Sequence, residues 1–207
     1  MLIDIILSVV IIFFSIILHE CSHGWVAYLC GDPTAKWAGR LTLNPLKHID
    51  PVGTVFLPGI LLVLRFFGYH TFLFGWAKPV PVDFTRLRCP RRDMVLVGLA
   101  GPAMNIFLAF AVSRILLLGF SGPVVSWIGL AVYANLVLAV FNLLPIPPLD
   151  GSRLVTGLLP APLARQYNQM APYGIFIVVG LLYLNILDRV LWPVVDLLSS
   201  LLGVKAL

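Results

Sequence analysis

Residues 2–30 read LIDIILSVVIIFFSIILHECSHGWVAYLC, an apolar run with the polar group His19-Glu20-Cys21-Ser22-His23 set inside it. A run of this length and apolarity predicts a membrane-spanning helix, provided that the helix continues through the polar group. Residues four apart share a helical face. His19 and His23 can therefore offer imidazole nitrogens to one ion, with Glu20 beside a water held there, which is the H-E-x-x-H spacing of a catalytic zinc site. Glu20 is the only glutamate in the chain, and two of its four histidines lie in this window. The bland reading is a pair of interfacial histidines near a helix end. Against it, an ionisable group at membrane depth costs at least ~2.5 kcal/mol and is functional by default.

The composition around this helix is that of a membrane protein. Of 207 residues, 60% are hydrophobic and 11% charged, and the mean hydropathy is +1.00. Soluble domains run about 45–50% apolar and about 25% charged, so this chain lacks the polar surface to cover itself in water. A soluble enzyme is excluded. The length suits one membrane-embedded domain over residues 1–207, with a catalytic core over about 1–160 and C-terminal helices over 172–204. The net charge of +5 comes from residues crowded between apolar runs, which fits orientation in a bilayer and speaks against nucleic acid as a partner. Cys21, Cys30 and Cys89 match no disulfide framework or CxxC motif. The N-terminal run lacks a basic n-region and a cleavage site, so it is expected to stay in the protein.

Further apolar stretches cover residues 52–74, 94–120, 124–144 and 173–187, with a sixth over 190–204 broken by Pro193 and Asp196. An all-α polytopic bundle of about four to six transmembrane helices follows. The third and fourth stretches have the ~20 residues that a span needs. The second contains Pro58-Gly59 and Arg65, which suits a re-entrant segment. The loop 31–51 alternates around Arg40-Leu41-Thr42-Leu43 as a short β-hairpin-like element would, and could pair with an extended substrate at its edge. Positive charge in loops 31–51 and 75–93, and none in 119–123, places the first two on the cytoplasmic side and the N-terminus outside. Trp25, Tyr28, Trp76 and Trp127 read as interface anchors.

Two histidines leave a catalytic zinc one protein ligand short. Asp150, His48, His70 and Asp50 are candidates. Asp150 lies in Asn142-Leu143-Leu144-Pro145-Ile146-Pro147-Pro148-Leu149-Asp150-Gly151, where prolines end a helix at membrane depth; irregular backbone is tolerated there only if buried in protein or lining a wet cavity. It could instead cap a helix starting at Gly151. The candidate ligands share one depth only if residues 52–74 turn back rather than cross. Asn105 and Asn135 read as hydrogen-bonding glue between helices, with a place near the site a minority reading for Asn105.

HECSH in an apolar helix, Gly101-Pro102-Ala103-Met104-Asn105 at the start of a later one, and NLLPIPPLDG ending the next together resemble the site-2 protease family of intramembrane zinc metalloproteases, over most of residues 1–160. The resemblance implies one zinc ion bound by His19, His23 and Asp150, with Glu20 as the catalytic base. It implies for Asn142 a part in substrate binding or oxyanion stabilisation; a structural role for Asn142 stays equally open. No PDZ domain is inserted, and the stretch 52–74 is extra. The expected activity is hydrolysis of peptide bonds in membrane-spanning proteins within the cell membrane, with the active site near the cytoplasmic side and the oligomeric state open. The alternatives are a metal transporter, or a metal-binding membrane protein without enzymatic activity, in which Glu20→Gln would leave function intact.

Overall fold

The computed structural model describes residues 2–69, 75 and 77–204; the candidates His70 and Trp76 lie outside the described residues. Helix α1 (Leu2–Leu29) runs unbroken through His19 and His23 for 28 residues, about 42 Å at ~1.5 Å per residue. Helix α4 (Pro90–Ser113) continues through a 3-10 turn to Leu118 and stops at Gly119, whose φ of 76° no β-carbon opposes. Helix α5 (Pro123–Asn142) returns. Both α4 and α5 start with proline, whose missing N–H is an orphan at a first turn anyway. At the start of α4 the Asp93 carboxylate accepts from the Cys89 N–H at 2.8 Å. These three helices are long and apolar enough to cross a bilayer. The chain is a multi-pass membrane protein.

Between α1 and α4 lie a single turn, α2 (Thr34–Trp37), a 3-10 turn at Pro45–Lys47, and a π-helical turn at Pro51–Phe56 that leads into α3 (Leu57–Phe66). Pro58 does not break this helix. It stands where the wider π turn gives way to α, so its missing donor falls at a change of register. The excursion ends where it began: a β-carbon on Gly75 would lie 2.6 Å from the Gly53 carbonyl oxygen. Gly75 thus lies beside Gly53, as a re-entrant segment would require. The expected β element is not formed, and there is no strand among the described residues. The Thr42 carbonyl accepts from His48 Nε2 at 2.8 Å and from the Cys21 thiol at 3.2 Å. The polar backbone that would pair with a second strand is thus taken by side chains.

After α5 the chain turns through residues 143–149 into α6 (Asp150–Leu158), α7 (Ala161–Asn168), α8 (Gly174–Tyr183) and α9 (Ile186–Leu201). The segment Ala161–Tyr183 meets α9 at a bend of 80°, and counted as one span it makes a fourth crossing. Asn185, at φ 55°, makes the bend. Pro193 and Asp196 do not interrupt α9, whose buried residues Leu187, Leu191, Val195 and Ser199 form one stripe at four-residue spacing. Val195 packs with Ala109 of α4 and Val132 and Leu136 of α5 in the main apolar cluster.

The turn that precedes Asp150 is held from both sides. A β-carbon on Gly151 would lie 2.2 Å from the Leu143 carbonyl oxygen, and one on Gly174 would lie 1.5 Å from that of Pro147. Gly174→Ala should therefore force α8 off the turn and lower stability by about 3 kcal/mol or more. Gly180→Ala is the control, because a β-carbon there meets nothing within 4 Å. Thermal unfolding in detergent, comparing the two variants, checks this.

Candidate metal centre

One helix supplies two of the three groups. His19 and His23 sit one turn apart on α1, both buried, with ring centroids 4.7 Å apart. Asp150, the first residue of α6, supplies the third. Its side chain is not a cap: the residue before α6 is Leu149, and no side chain caps the helix. His19 Nε2, His23 Nε2 and Asp150 Oδ2 form a triangle with sides of 3.0, 3.0 and 3.1 Å. Among the described residues, these are the only His, Cys, Asp or Glu side chains grouped so as to hold a metal ion.

Helix α4 makes the convergence possible. A β-carbon on Gly101 would lie 2.4 Å from His23 Nε2 and 2.5 Å from His19 Nε2. Any side chain there would occupy the space of the rings. One turn earlier, the Val97 carbonyl is 2.6 Å from His23 Nδ1. A carbonyl can only accept, so Nδ1 of His23 carries a proton, and in the neutral ring Nε2 presents a bare lone pair. His19 Nδ1 meets Asn105 Oδ1 at 2.5 Å. The remaining oxygen of Asp150 has the Arg153 guanidinium at 3.7 Å, and that guanidinium also stacks over Phe84.

The donor set fits zinc. Two imidazoles and a carboxylate make up three protein ligands, and bonds of about 2.0–2.2 Å at tetrahedral angles put ligand atoms about 3.3 Å apart. The observed sides fall within a few tenths of an ångström of that. With the His23 ring neutral, two acceptors, His23 Nε2 and Asp150 Oδ2, face each other 3.1 Å apart in a buried site, an arrangement that a cation between them relieves.

Glu20, one position along, lies half-buried, and its Oε2 accepts from the Val80 N–H at 2.9 Å. Val80 belongs to an extended segment that other groups pin. Arg40 Nη2 donates to the Lys78 carbonyl at 2.6 Å and the Pro79 carbonyl at 3.3 Å, and the Lys78 N–H donates to the His48 carbonyl at 2.9 Å. Arg40 is buried rather than part of a loop surface.

The other candidates are elsewhere. His48 is fully buried with Nε2 on the Thr42 carbonyl. Asp50 accepts from the N–H groups of Val52 and Gly53. Asn142, at the end of α5, donates to the Leu138 carbonyl at 2.9 Å and not to the histidines or Asp150. The sequence showed Gly101 only as part of the GPAMN stretch and did not place it against the imidazoles. Its signal was the GPAMN stretch itself.

Comparison with known proteins agrees with this geometry. The model of peptidase family M50 matches residues 118–184. The zinc metalloprotease by name YwhC of Bacillus subtilis is 38% identical over 198 residues, covering 91% of this chain and 85% of that protein. Rip2 of Mycolicibacterium smegmatis, likewise named a zinc metalloprotease, is 32% identical over 200 residues, covering 93% of this chain and 72% of its own. No solved structure matches. With so much of each relative covered and the histidine–histidine–aspartate triangle in place, the chain belongs to peptidase family M50, the site-2 proteases, which are intramembrane zinc metalloproteases.

Proposed function

We propose that His19, His23 and Asp150 hold one zinc ion, and that Glu20 is the base with which this intramembrane protease cuts membrane-spanning proteins. The observation that carries the reading is the triangle of acceptor atoms 3.0–3.1 Å on a side, buried within the bundle. Zinc bound there supplies a Lewis acid that polarises the scissile carbonyl and lowers the pKa of water toward ~7. Glu20 takes the proton of the attacking water and delivers it to the leaving amine nitrogen. The Val80 N–H steadies Oε2, which leaves Oε1 for the transfer. Asn142 has a second amide hydrogen beyond the one given to Leu138, and this can donate to the substrate backbone or to the developing oxyanion.

The substrate's carbonyls are hydrogen-bonded while it is helical, so the cleaved segment has to unwind. A cavity of about 630 Å³ lies between α1 and α4, lined by Leu18, Ser22, Trp25, Ala103, Met104 and Phe107, with Leu41–Leu43 as one wall. Its lining is almost wholly apolar, and Trp25 and Phe107 on its rim are exposed. It suits an unwound apolar segment that enters from the lipid.

The orientation rests on charge and parity. Lys36, Lys47, Lys78, Arg86 and Arg88 lie between the end of α1 and the start of α4, and Arg91 and Arg92 in the first turn of α4. The positive-inside rule puts that side in the cytoplasm of a cell membrane and the N-terminus outside. With the 53–75 excursion returning to its origin, α5 delivers Asp150 to the same side.

Three measurements test the reading. Purified wild type should carry one zinc per chain, and His23→Ala, Asp150→Ala and Gly101→Ala should carry none, by elemental analysis. Glu20→Gln should keep its zinc while cleavage of a membrane substrate falls ~10²-fold or more; retained function would instead favour metal transport. Ala103→Trp, at an exposed position in the cavity wall, should cut cleavage at least about tenfold through KM with zinc unchanged; unaltered cleavage would mean that substrate takes another route.

A further inference from the structure

A buried chain of amides runs from α5 to His19. Its polarity is fixed at the far end. Asn135 Nδ2 lies 2.8 Å from the Ala131 carbonyl and 2.9 Å from Ser15 Oγ. The carbonyl can only accept, and Ser15 already gives its hydroxyl proton to the Ile11 carbonyl at 2.9 Å. Both neighbours therefore require the amide nitrogen of Asn135, which turns its Oδ1 toward Asn105. At that contact, 2.8 Å long, Asn105 has to present Nδ2. That nitrogen is also 3.4 Å from the Ser15 carbonyl. Asn105 Oδ1 is then the atom that faces His19 Nδ1. An amide oxygen cannot donate, so the proton of the His19 ring is on Nδ1 and Nε2 is left as a lone pair aimed at the metal position.

We propose that Asn135, which touches none of the three converging side chains, is a positioning residue that sets the tautomer of His19 through Asn105. The inference rests on the reading of the triangle as the zinc site. Ser15, Asn105 and Asn135 are 5%, 0% and 2% exposed, so no solvent is at hand to restore a lost partner. Without Asn135 the Asn105 amide can turn over. Its nitrogen would then meet His19 Nδ1, the ring proton would move to Nε2, and Nε2–H would donate to Asp150 in place of binding a cation.

The test is Asn135→Leu, close in size and without polar atoms. Zinc affinity, measured by competition with a chromophoric chelator, should fall 10–100-fold, while Glu20→Gln binds as wild type does. In the metal-free protein at about pH 9, where imidazoles are neutral, ¹⁵N NMR of labelled histidine should place the His19 proton on Nδ1 in wild type and partly on Nε2 in the variant. A lower melting temperature with wild-type affinity in the folded fraction would show plain helix glue and overturn the proposal. So would a wild-type His19 protonated on Nε2, a measurement that stands even if the variant does not fold. Absence of zinc binding by wild type, with Nδ1–H intact, would overturn the zinc reading of the triangle instead.

Discussion

Two imidazole nitrogens and a carboxylate oxygen held 3.0–3.1 Å apart repel one another when all three present lone pairs, and the packing around them has to hold them there. The cost is met by absent side chains. Gly101 leaves the volume that the two rings fill, and Gly151 lets α6 start against the carbonyls of Leu143 and Leu144 so that Asp150 folds back on the bundle. Gly98 continues the same bare face: a β-carbon there would lie 3.1 Å from the Asp150 carbonyl oxygen. Rigidity comes from the helices on either side. A single turn of α1 sets the spacing of the histidines, and α4 meets both of them, with Val97 on one ring and Asn105 on the other.

The pair of histidines was legible because helical periodicity is local: residues 19 and 23 share a face whatever else the chain does. Asp150 stood among four candidates, a carboxylate on proline-broken backbone at membrane depth, and it was the family resemblance that picked it out. What sequence could not supply was the direction of hydrogen bonds between elements far apart. Asn105 and Asn135 read as interhelical glue, and they do bridge α4 and α5; their order from Ala131 to His19 depends on three helices meeting at one level. Arg40 was misread for a similar reason. Alternation over residues 40–43 suggested a strand, yet the segment's polar groups go to Cys21, His48 and the 78–79 carbonyls. The count of spans was legible in the long helices and ambiguous at the C-terminus, where the 80° bend turns on the left-handed backbone of one residue, Asn185.

The segment over residues 78–83 shows how Glu20 is held from outside its own helix. Asp32, fully buried at the end of α1, accepts from the Asp83 N–H at 2.7 Å. Arg40 holds the carbonyls of Lys78 and Pro79, and Glu20 takes the Val80 N–H between these anchors. Prolines 79 and 81 keep the segment extended and remove donors that would otherwise need partners. Gly24 allows the approach, since a β-carbon there would lie 2.6 Å from Val80 Cγ1. The carboxylate of Glu20 is thereby tied to a strap spanning two loops, while His19, His23 and Asp150 are tied to helices. Glu20 and the His19–His23–Asp150 group answer to different parts of the fold.

Parity joins these parts. His19 enters on the first helix and Asp150 follows the third long one, so the two meet only if everything between α1 and α4 leaves the chain on the side where α1 ended. The closeness of Gly75 to Gly53 satisfies this, and the Lys78 N–H on the His48 carbonyl repeats it a few residues on. Had residues 52–74 crossed, α4 would run antiparallel to its present direction and the Val97-to-Asn105 face would meet α1 upside down, with Asn105 toward His23 and Val97 toward His19. The amide chain to Asn135 would then end at the wrong ring. The return of the chain to Gly53 is thus a requirement of the hydrogen bonding among these helices.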